Sequence, residues 1–351
     1  MNRVPVFRPT IRREGMDDVL SCIVSDEIGP GKRGQELATV VASTLGMAGG
    51  IALADYKIAL SCALTAANLE MGARVICSAL APQMHRNAIE RCGLSPLIVD
   101  VDADSGMLDL GLADQVRGKA GAVLIDHTLG FVPNLDLLRS WEIPVIEDLT
   151  CSFGGYSGEA APDLRGDVAV LSLGCTGLLT AAGGALLLCR TKALMASAKK
   201  SAADCADPLA DLNAALALAQ LKRYRGDMDV RCSIRDAYHS AITRTRHRTL
   251  SGPVSEGNGN QIPFSYPVVV EDGAREVARY AAKARIETIL AFEGAIVASS
   301  CRDEEGIAGD TVEDSRKDNV ADESFVYPAA DSLSRRCVLF PLYPLLGAAR
   351  V

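Results

Sequence analysis

Short apolar segments alternate with helix-like segments along the first two thirds of the chain, and this alternation constrains the fold more than any other feature. The predicted strands cover residues 49–54, 74–78, 96–101, 122–126 and 144–147. The predicted helices cover residues 34–45, 58–71, 85–92 and 135–141. Strands and helices that alternate at this spacing predict a largely parallel sheet with helices on both faces. A site is expected where the strands end, at their carboxyl edge.

One uncharged stretch, residues 168–189, is long enough at 22 residues to cross a bilayer. Four glycines interrupt it and it has no aromatic residue to anchor it at a membrane surface. Its two halves, 168–173 and 184–189, are short and apolar, as expected for strands buried on both faces. We therefore interpret the stretch as strand, turn and strand, and predict no association with a membrane.

Charge and cysteine usage exclude several classes of protein. The chain has 36 basic and 44 acidic side chains, a net charge of −8, so a general nucleic-acid-binding role is not expected. Eleven cysteines occur without a C-x-x-C pair, and four histidines show no metal-ligand spacing, so we predict reduced thiols and no metal site. Residues 1–10 lack the pattern of a signal peptide, and we predict a cytoplasmic protein.

The last 145 or so residues change in character. Asp207-Pro208 predicts the start of a long helix, with Asp as the cap and Pro in the first turn. Residues 251–260 are rich in Gly, Ser and Asn and predict a domain boundary, with a large domain over 1–250 and a small one over 251–351. The small domain is predicted to contain a strand at 262–270, a helix at 275–285, a polar loop at 303–323 and a final apolar segment.

Several strings spread over the chain point to one family. They are VPVFRPTI (4–11), Gly29-Pro30, NAIERCGLSPLIVDVD (87–102), DHTLGFVPNLDLL (126–138), PVIEDLTCSFGG (144–155), GDVAVLSL (166–173), ADLNAALALAQLKR (210–223) and LSRRCVLFPLYPLL (333–346). In this order they resemble the DegT/StrS family of sugar aminotransferases, which depend on pyridoxal phosphate (PLP). The resemblance implies PLP-transferase fold type I, with a large α/β/α domain, a mostly parallel sheet and a smaller C-terminal α+β domain. The family's last helix is expected to be missing, because the chain ends at Val351.

The resemblance also implies a lysine that forms a Schiff base with PLP, placed shortly before Gly183-Gly184. That position falls on Gly177, and the adjacent alignments fall on Thr176 or Leu178. None of these is lysine, or the histidine that some members use for dehydration, and no lysine occurs from 120 to 191. We therefore predict no catalytic residue at this position and no covalently bound cofactor.

The family's phosphate cradle, a Ser-Gly-Thr turn, falls on Asp55-Tyr56-Lys57. Tyr56 fills the room that the glycine leaves, and Asp55 puts a negative charge where a phosphate should lie. Lys57 is interpreted in two ways. It either offsets Asp55 or binds an anion itself, or it is solvated while Asp55 caps the following helix. We favour the second interpretation.

Other cofactor contacts of the family are replaced too. The stacking aromatic, the glutamine and histidine after the aspartate, and the Asn and Arg that reach the partner subunit fall on Pro82, Cys151, Phe153, Ala206 and Pro208. Asp148 is retained where the family has its pyridinium partner, and it is interpreted either in that role or as the cap of a turn. His127 is retained as well and is interpreted as structural. Asp148, Lys57 and Tyr56 are the candidate remnants of a cofactor pocket.

These departures predict a degenerate member of the family that has kept the scaffold without PLP-dependent transamination. Such a protein is expected to form a homodimer and to act by binding, with a sugar nucleotide or another small anion as ligand, or as the partner of an active aminotransferase in the synthesis of sugars or amino sugars. The alternative is an active PLP-dependent sugar-nucleotide aminotransferase or dehydratase with a non-standard site, its lysine supplied from elsewhere, with Lys57 as the best-placed candidate.

Overall fold

A computed structural model describes most of the chain. The described residues are 3–133, 137–138, 140–154, 166–252, 261–271, 273–298 and 326–346. The predicted polar loop at 303–323 and most of the boundary segment at 251–260 lie outside them, as does part of the predicted helix at 135–141.

Ten α-helices have described bounds. They are α1 (Met16–Val24), α2 (Lys32–Thr44), α3 (Tyr56–Ala66), α4 (Gln83–Arg91), α5 (Leu110–Val116), α6 (Lys192–Cys205), α7 (Asp211–Leu221), α8 (Tyr224–Ile242), α9 (Ala274–Lys283) and α10 (Pro328–Arg336). No helix in the described ranges has both the length and the apolar character needed to cross a bilayer.

Seven strands form the main sheet. They are β1 (Gly49–Leu53), β2 (Arg74–Ser78), β3 (Ser95–Val99), β4 (Ala122–Asp126), β5 (Val145–Asp148), β6 (Val168–Ser172) and β7 (Ala185–Cys189), in the order β1-β7-β6-β5-β4-β2-β3. The pairs from β3 to β6 are parallel, and β7 runs antiparallel to both of its neighbours. The predicted α/β fold with a largely parallel sheet is confirmed.

The uncharged stretch at 168–189 is strand, turn and strand, as predicted. β6 and β7 pair in register from Val168 opposite Cys189 to Ser172 opposite Ala185. All of their residues except Ser172 are buried, because helices cover both faces of the sheet. Val168 and Val170 pack in the cluster that contains α3 and α6, whereas Ala169 and Leu171 pack against α2 and α7 on the other face.

The predicted helix start at Asp207-Pro208 is wrong. Helix α6 ends at Cys205, α7 begins at Asp211, and the segment between them is extended. Its backbone pairs with the end of β1: the Ala54 amide donates to the Asp207 carbonyl over 2.8 Å, and the Leu209 amide donates to the Ala52 carbonyl over 3.0 Å. These long-range hydrogen bonds outweigh the local signal for a helix cap.

A second sheet lies beyond the main one. Its strands are β8 (Arg248–Thr249), β9 (Tyr266–Val269), β10 (Ile289–Leu290) and β11 (Cys337–Phe340), in the order β10-β11-β9-β8 and antiparallel throughout. β8 precedes the predicted boundary at 251 by two residues, and the division into two domains stays a prediction. The two sheets share an apolar cluster that joins Leu80 and Met107 to Val269 and Leu339.

One buried arginine on α8 forms hydrogen bonds with chain segments next to the second sheet. The Arg231 guanidinium is buried, and its Nη1 donates to the carbonyl oxygens of Pro263, Phe264 and Leu342 over 2.9–3.1 Å. Burial lowers the pKa of Arg231 to about 10. None of these acceptors is a carboxylate. The three carbonyl groups therefore provide the hydrogen bonds that replace the hydration of the buried guanidinium.

We expect Arg231→Met to lower the free energy of unfolding by about 2–4 kcal/mol, because three buried carbonyl groups lose their donor. Chemical denaturation followed by circular dichroism measures the change. Arg225→Met, at an exposed position of the same helix, is the matched control and should be near neutral. Equal stabilities of the two variants would contradict the role given to Arg231.

Candidate functional site

The site is built at the carboxyl edge of the main sheet, where three loops come together. Tyr56 is the first residue of α3 and follows β1, His85 lies in the first turn of α4 after β2, and Asp148 is the last residue of β5. The structure brings the predicted residues Tyr56 and Asp148 into direct contact. His85 belongs to the same cluster and was missed in the sequence, where a lone histidine in a helix has no signal that links it to a residue 63 positions away.

The carboxylate of Asp148 is saturated with hydrogen bonds. The Tyr56 hydroxyl donates to its Oδ2 over 2.5 Å, and His85 Nε2 lies 3.0 Å from the same oxygen. Thr150 donates to Oδ1 through both its amide and its hydroxyl, over 3.0 and 2.5 Å. The interpretation of Asp148 as the cap of a turn is confirmed, and its role toward a cofactor stays a prediction. It caps the turn at Thr150, and its second oxygen faces the site.

Oδ2 of the Asp148 carboxylate accepts hydrogen bonds. In the His85 tautomer that donates to it, the proton is therefore on Nε2. His85 is fully buried, and its Nδ1 has no hydrogen-bond partner among the described residues. The Tyr56 hydroxyl lies 3.2 Å from His85 Nε2, so the three groups form a closed triangle.

The pKa values follow from this arrangement. Burial acts to raise the pKa of Asp148, but the hydrogen bonds from His85, Thr150 and Tyr56 outweigh it, so the pKa lies below its ordinary value. Burial together with the adjacent negative charge of Asp148 raises the pKa of Tyr56 well above its ordinary value. The phenol therefore keeps its proton and acts as a donor to the carboxylate at neutral pH.

Asp55 lies at the start of α3, which forms the other end of the site. Its Oδ1 accepts hydrogen bonds from the amides of Lys57 and Ile58 over 2.7 and 3.0 Å, and it is the N-cap of α3. These amides are the ones that an anion at the start of the helix would otherwise use. The prediction that Asp55 caps the helix is confirmed. Lys57 is exposed, and its role stays a prediction.

The turn after β6 holds Gly177 in a crowded position. Its amide donates to the Gly174 carbonyl over 3.1 Å. A Cβ atom on residue 177 would lie 3.0 Å from the Leu179 carbonyl oxygen and 3.3 Å from that of Gly174. A side chain there would require these neighbouring carbonyl groups to shift by a few tenths of an ångström, so the position lacks a lysine and is tight for any side chain.

The remaining replaced positions offer little to a flat, charged ligand. Pro82 is the N-cap residue of α4, and Ala206 ends α6 in an extended conformation. Phe153 is buried in an apolar cluster, where its ring contacts the ring of Tyr224 with centroids 5.1 Å apart. Burial, with the nearby charge of Asp148, raises the pKa of Cys151 well above its ordinary value, which leaves it an unreactive thiol.

His127 has a structural environment. Its Nδ1 lies 2.6 Å from Ser152 Oγ, and its Nε2 lies 3.1 Å from Glu147 Oε2. Glu147 also accepts a hydrogen bond from the Gly166 amide. All three side chains are buried, with no more than 1% of any residue exposed, so a substrate cannot reach the serine. The hydrogen bonds of His127 therefore connect the end of β4 with β5 and with the turn that follows β5.

A second concave region lies outside this cluster. A cavity of about 280 Å³ is lined by Arg12, Arg223, Gly226, Asp227 and Val230. Arg12 pairs with Asp227 over 2.6 Å. In the described part of the chain no three His, Cys, Asp or Glu side chains are grouped as ligands for a metal ion.

The order of the main sheet and the smaller second sheet give the chain the α/β fold of solved sugar aminotransferases. The model of the DegT/DnrJ/EryC1/StrS aminotransferase family matches residues 9–351, and the chain belongs to this family. The family is PLP-dependent and includes both aminotransferases and dehydratases.

Individual relatives are distant. GDP-perosamine synthase of Caulobacter vibrioides is 25% identical over 292 residues, which are 77% of this chain and 78% of that protein. A putative sugar aminotransferase of Streptococcus pneumoniae in its PLP form is 19% identical, with a TM-score of 0.81 over 97% of this chain and 94% of its own. The GDP-4-keto-6-deoxy-D-mannose-3-dehydratase of E. coli, solved with hydrated PLP, is 14% identical, with a TM-score of 0.80 over 98% and 96%. At these identities the structural similarity concerns the fold.

The described residues do not fit the way in which the family holds PLP. The Asp148 oxygen that would face a pyridine nitrogen already accepts the Tyr56 hydroxyl, and the amides at the start of α3 are bonded to Asp55. Gly177 provides no amine. Each point of attachment is therefore filled by the chain itself or lacks the necessary group.

We expect Tyr56→Phe to lower the free energy of unfolding at pH 7 by about 1–3 kcal/mol, because a buried carboxylate loses a donor. The pKa of Asp148 is lowered in the folded state, so its contribution is present above the unfolded value of 3.8 and is lost as pH falls through the folded pKa. The difference between variant and wild type should therefore shrink below about pH 4. Urea denaturation at pH 7 and at pH 3 to 4 measures it.

Tyr280→Phe is the matched control, because Tyr280 is 77% exposed on α9. It should leave stability unchanged at both pH values. A Tyr56→Phe difference that does not depend on pH would show that the phenol contributes through packing and not through its bond to Asp148.

Proposed function

We propose that this protein is a degenerate member of the DegT/DnrJ/EryC1/StrS family that does not carry out PLP-dependent transamination and acts by binding in sugar or amino-sugar biosynthesis. The observation that carries the proposal is the 2.5 Å hydrogen bond from Tyr56 to Asp148. It occupies the carboxylate that the family uses for the cofactor. Family membership supports the sugar-related role, as the relatives named above act on or are named for sugars.

The replacements support this proposal because each one takes over a hydrogen bond that the cofactor would otherwise make. The Tyr56 hydroxyl donates to Asp148 as a protonated pyridine nitrogen would, and the Asp55 carboxylate accepts the helix amides as a phosphate would. A buried carboxylate without a donor would cost several kcal/mol. The chain therefore supplies hydrogen-bond partners at both ends of the pocket without a cofactor.

The ligand that we propose is a sugar nucleotide or another small anion. Lys57 is exposed beside the start of α3, and two arginines line the cavity formed by Arg12, Arg223 and Asp227. Positive side chains at the rim of a concave surface favour phosphate or carboxylate groups. An active aminotransferase is the proposed macromolecular partner, and the ten free cysteines of the described ranges are consistent with the cytoplasmic location that we propose.

The alternative is an active PLP-dependent sugar-nucleotide aminotransferase or dehydratase with a non-standard site. It is favoured by the retained Asp148, whose lowered pKa keeps the carboxylate charged, and by relatives solved with PLP. It requires a lysine from outside 120–191, and Lys57 is the candidate. It also requires the Tyr56 ring to leave the carboxylate.

Incubation with PLP followed by borohydride reduction separates the two functions. We expect no stoichiometric phosphopyridoxyl-lysine in the digested protein by mass spectrometry, because Asp148 and the α3 amides are already bonded. The putative sugar aminotransferase of Streptococcus pneumoniae, which was solved in a PLP form, serves as the positive control.

One full equivalent of adduct on a single lysine would refute the proposal. If that lysine is Lys57, Lys57→Ala should abolish the adduct and Lys119→Ala should retain it, which would establish the alternative. Traces spread over several exposed lysines indicate only non-specific Schiff bases and agree with the proposal.

We also propose that the protein forms a homodimer through α1 and the segment after it. Leu20, Ile23 and Val24 on α1 are 51%, 51% and 85% exposed, and Ile28 is 53% exposed. Their neighbours Val19 and Cys22 face inward against α7. A helix with apolar residues on its outer face as well as its inner face is typical of an interface between subunits.

We expect sedimentation equilibrium to give twice the 37.0 kDa chain mass for the wild type. Leu20→Asp with Val24→Asp should weaken the dimer by about tenfold or more, because a carboxylate would be buried without a partner. Val326→Asp, at a position 78% exposed elsewhere, is the control and should leave the mass unchanged. A monomeric wild type, or a dimer that tolerates the α1 substitutions, would count against this surface.

A further inference from the structure

Two cysteines lie side by side outside the Asp148 cluster. Cys62 on α3 is fully buried, whereas Cys205, the last residue of α6, is exposed. They are 143 positions apart in sequence, and their Sγ atoms are 3.6 Å apart. A disulfide needs about 2 Å between its sulfur atoms, so a small movement of the exposed side chain is enough to close the distance.

Packing between the two helices holds the buried thiol at this distance. Ala59 and Ala63 of α3 and Ala198 and Ala202 of α6 are buried in the same apolar cluster as Cys62. Small side chains let the helices approach closely, and a well-packed interior leaves Cys62 little freedom. Cys205 lies at the end of its helix, where its Sγ donates to the Ser201 carbonyl over 3.1 Å. One thiol is therefore held by packing, and the other lies at the exposed end of a helix.

We propose that Cys62 and Cys205 form an oxidation site, at which a peroxide converts the two thiols into an intrachain disulfide between α3 and α6. The proposal does not depend on whether the protein binds PLP. It adds a covalent modification site that is separate from the ligand-binding role proposed above.

The chemistry balances with hydrogen peroxide as the oxidant. The Cys205 thiolate sulfur bonds to one peroxide oxygen as the O–O bond breaks, which gives a sulfenic acid and hydroxide. The Cys62 sulfur then attacks the sulfenic sulfur and the S–O bond breaks, so that the departing hydroxide and the proton of Cys62 form water. Two thiols and one peroxide give one disulfide and two water molecules.

Exposure sets the order of the two steps. A peroxide reaches Cys205 from solvent, and Cys62 is shielded. Burial raises the pKa of the Cys62 thiol to about 11, so this thiol reacts only when an activated sulfur is held next to it. Cys205 is thus the residue that is oxidised first, and Cys62 is the residue that resolves it.

The disulfide would lie next to an existing link between the same parts of the chain. The Ala54 amide, just before α3, donates to the Asp207 carbonyl, just after α6, over 2.8 Å. The helix that carries Cys62 begins at Tyr56. Oxidation would therefore fasten the element that presents Tyr56 to the extended segment at 206–210 and restrict their separation.

The test uses the purified full chain treated with a small excess of hydrogen peroxide and then alkylated with N-ethylmaleimide. Non-reducing peptide mapping should show one cross-link between the peptides of Cys62 and Cys205, with two fewer alkylated thiols per chain. Reduction with dithiothreitol should restore both. The rate at which the cross-link appears should match the rate at which Cys205 is oxidised.

Three variants test the proposal. Cys205→Ser, an exposed change that should not disturb folding, is expected to abolish the cross-link, whereas Cys175→Ser, at another exposed cysteine, should retain it. Cys62→Ala should leave Cys205 as a sulfenic acid that dimedone captures. A disulfide from Cys205 to Cys92, a disulfide between two chains, or Cys205 over-oxidised with Cys62 still free in the wild type would each overturn the proposal.

Discussion

The carboxylate of Asp148 lies at the end of a central strand, almost completely removed from solvent, and it must be supplied with donors there. In a family that binds PLP, part of that supply comes from the cofactor. Here the side chains of Tyr56, His85 and Thr150 supply it, from the loops that follow β1, β2 and β5. The start of α3, the placement of α4 and the turn after β5 all depend on this one buried charge.

Other polar groups near the strand ends are likewise satisfied by the side chains of the chain itself. Asp55 satisfies the amides at the start of α3, and Glu147 pairs with His127 beneath the strand ends, so these polar groups have their partners within the chain. The sheet is stabilised by apolar contacts on both faces, in clusters formed by the core helices. Fold and site are therefore separable, because burial of apolar surface stabilises one and a few polar contacts define the other.

Several residues show where local patterns were sufficient and where they were not. β2 and β4 have the predicted bounds, because apolar runs buried on both faces are recognisable from the residues themselves. Asp55 as a helix cap was predictable because its partners are two and three positions away. His85 was missed and the helix start at Asp207-Pro208 was wrong, because their partners, Asp148 and the end of β1, are distant in sequence. Arg231 likewise bonds to carbonyl groups that no local pattern connects to it.

The absence of lysine from 120 to 191 is a property of the sequence, and with the order of strands and helices it was enough to establish the fold class and to question the usual chemistry. Sequence also showed that Tyr56 replaces a small residue. Only the tertiary structure decided what that replacement does, since it places the phenol 2.5 Å from a carboxylate 92 positions away. The same holds for the thiols of Cys62 and Cys205. The physical reason is that periodicity and capping act over a few residues, whereas the pairing of buried charges and thiols depends on which strand ends and helix faces the folded sheet brings together.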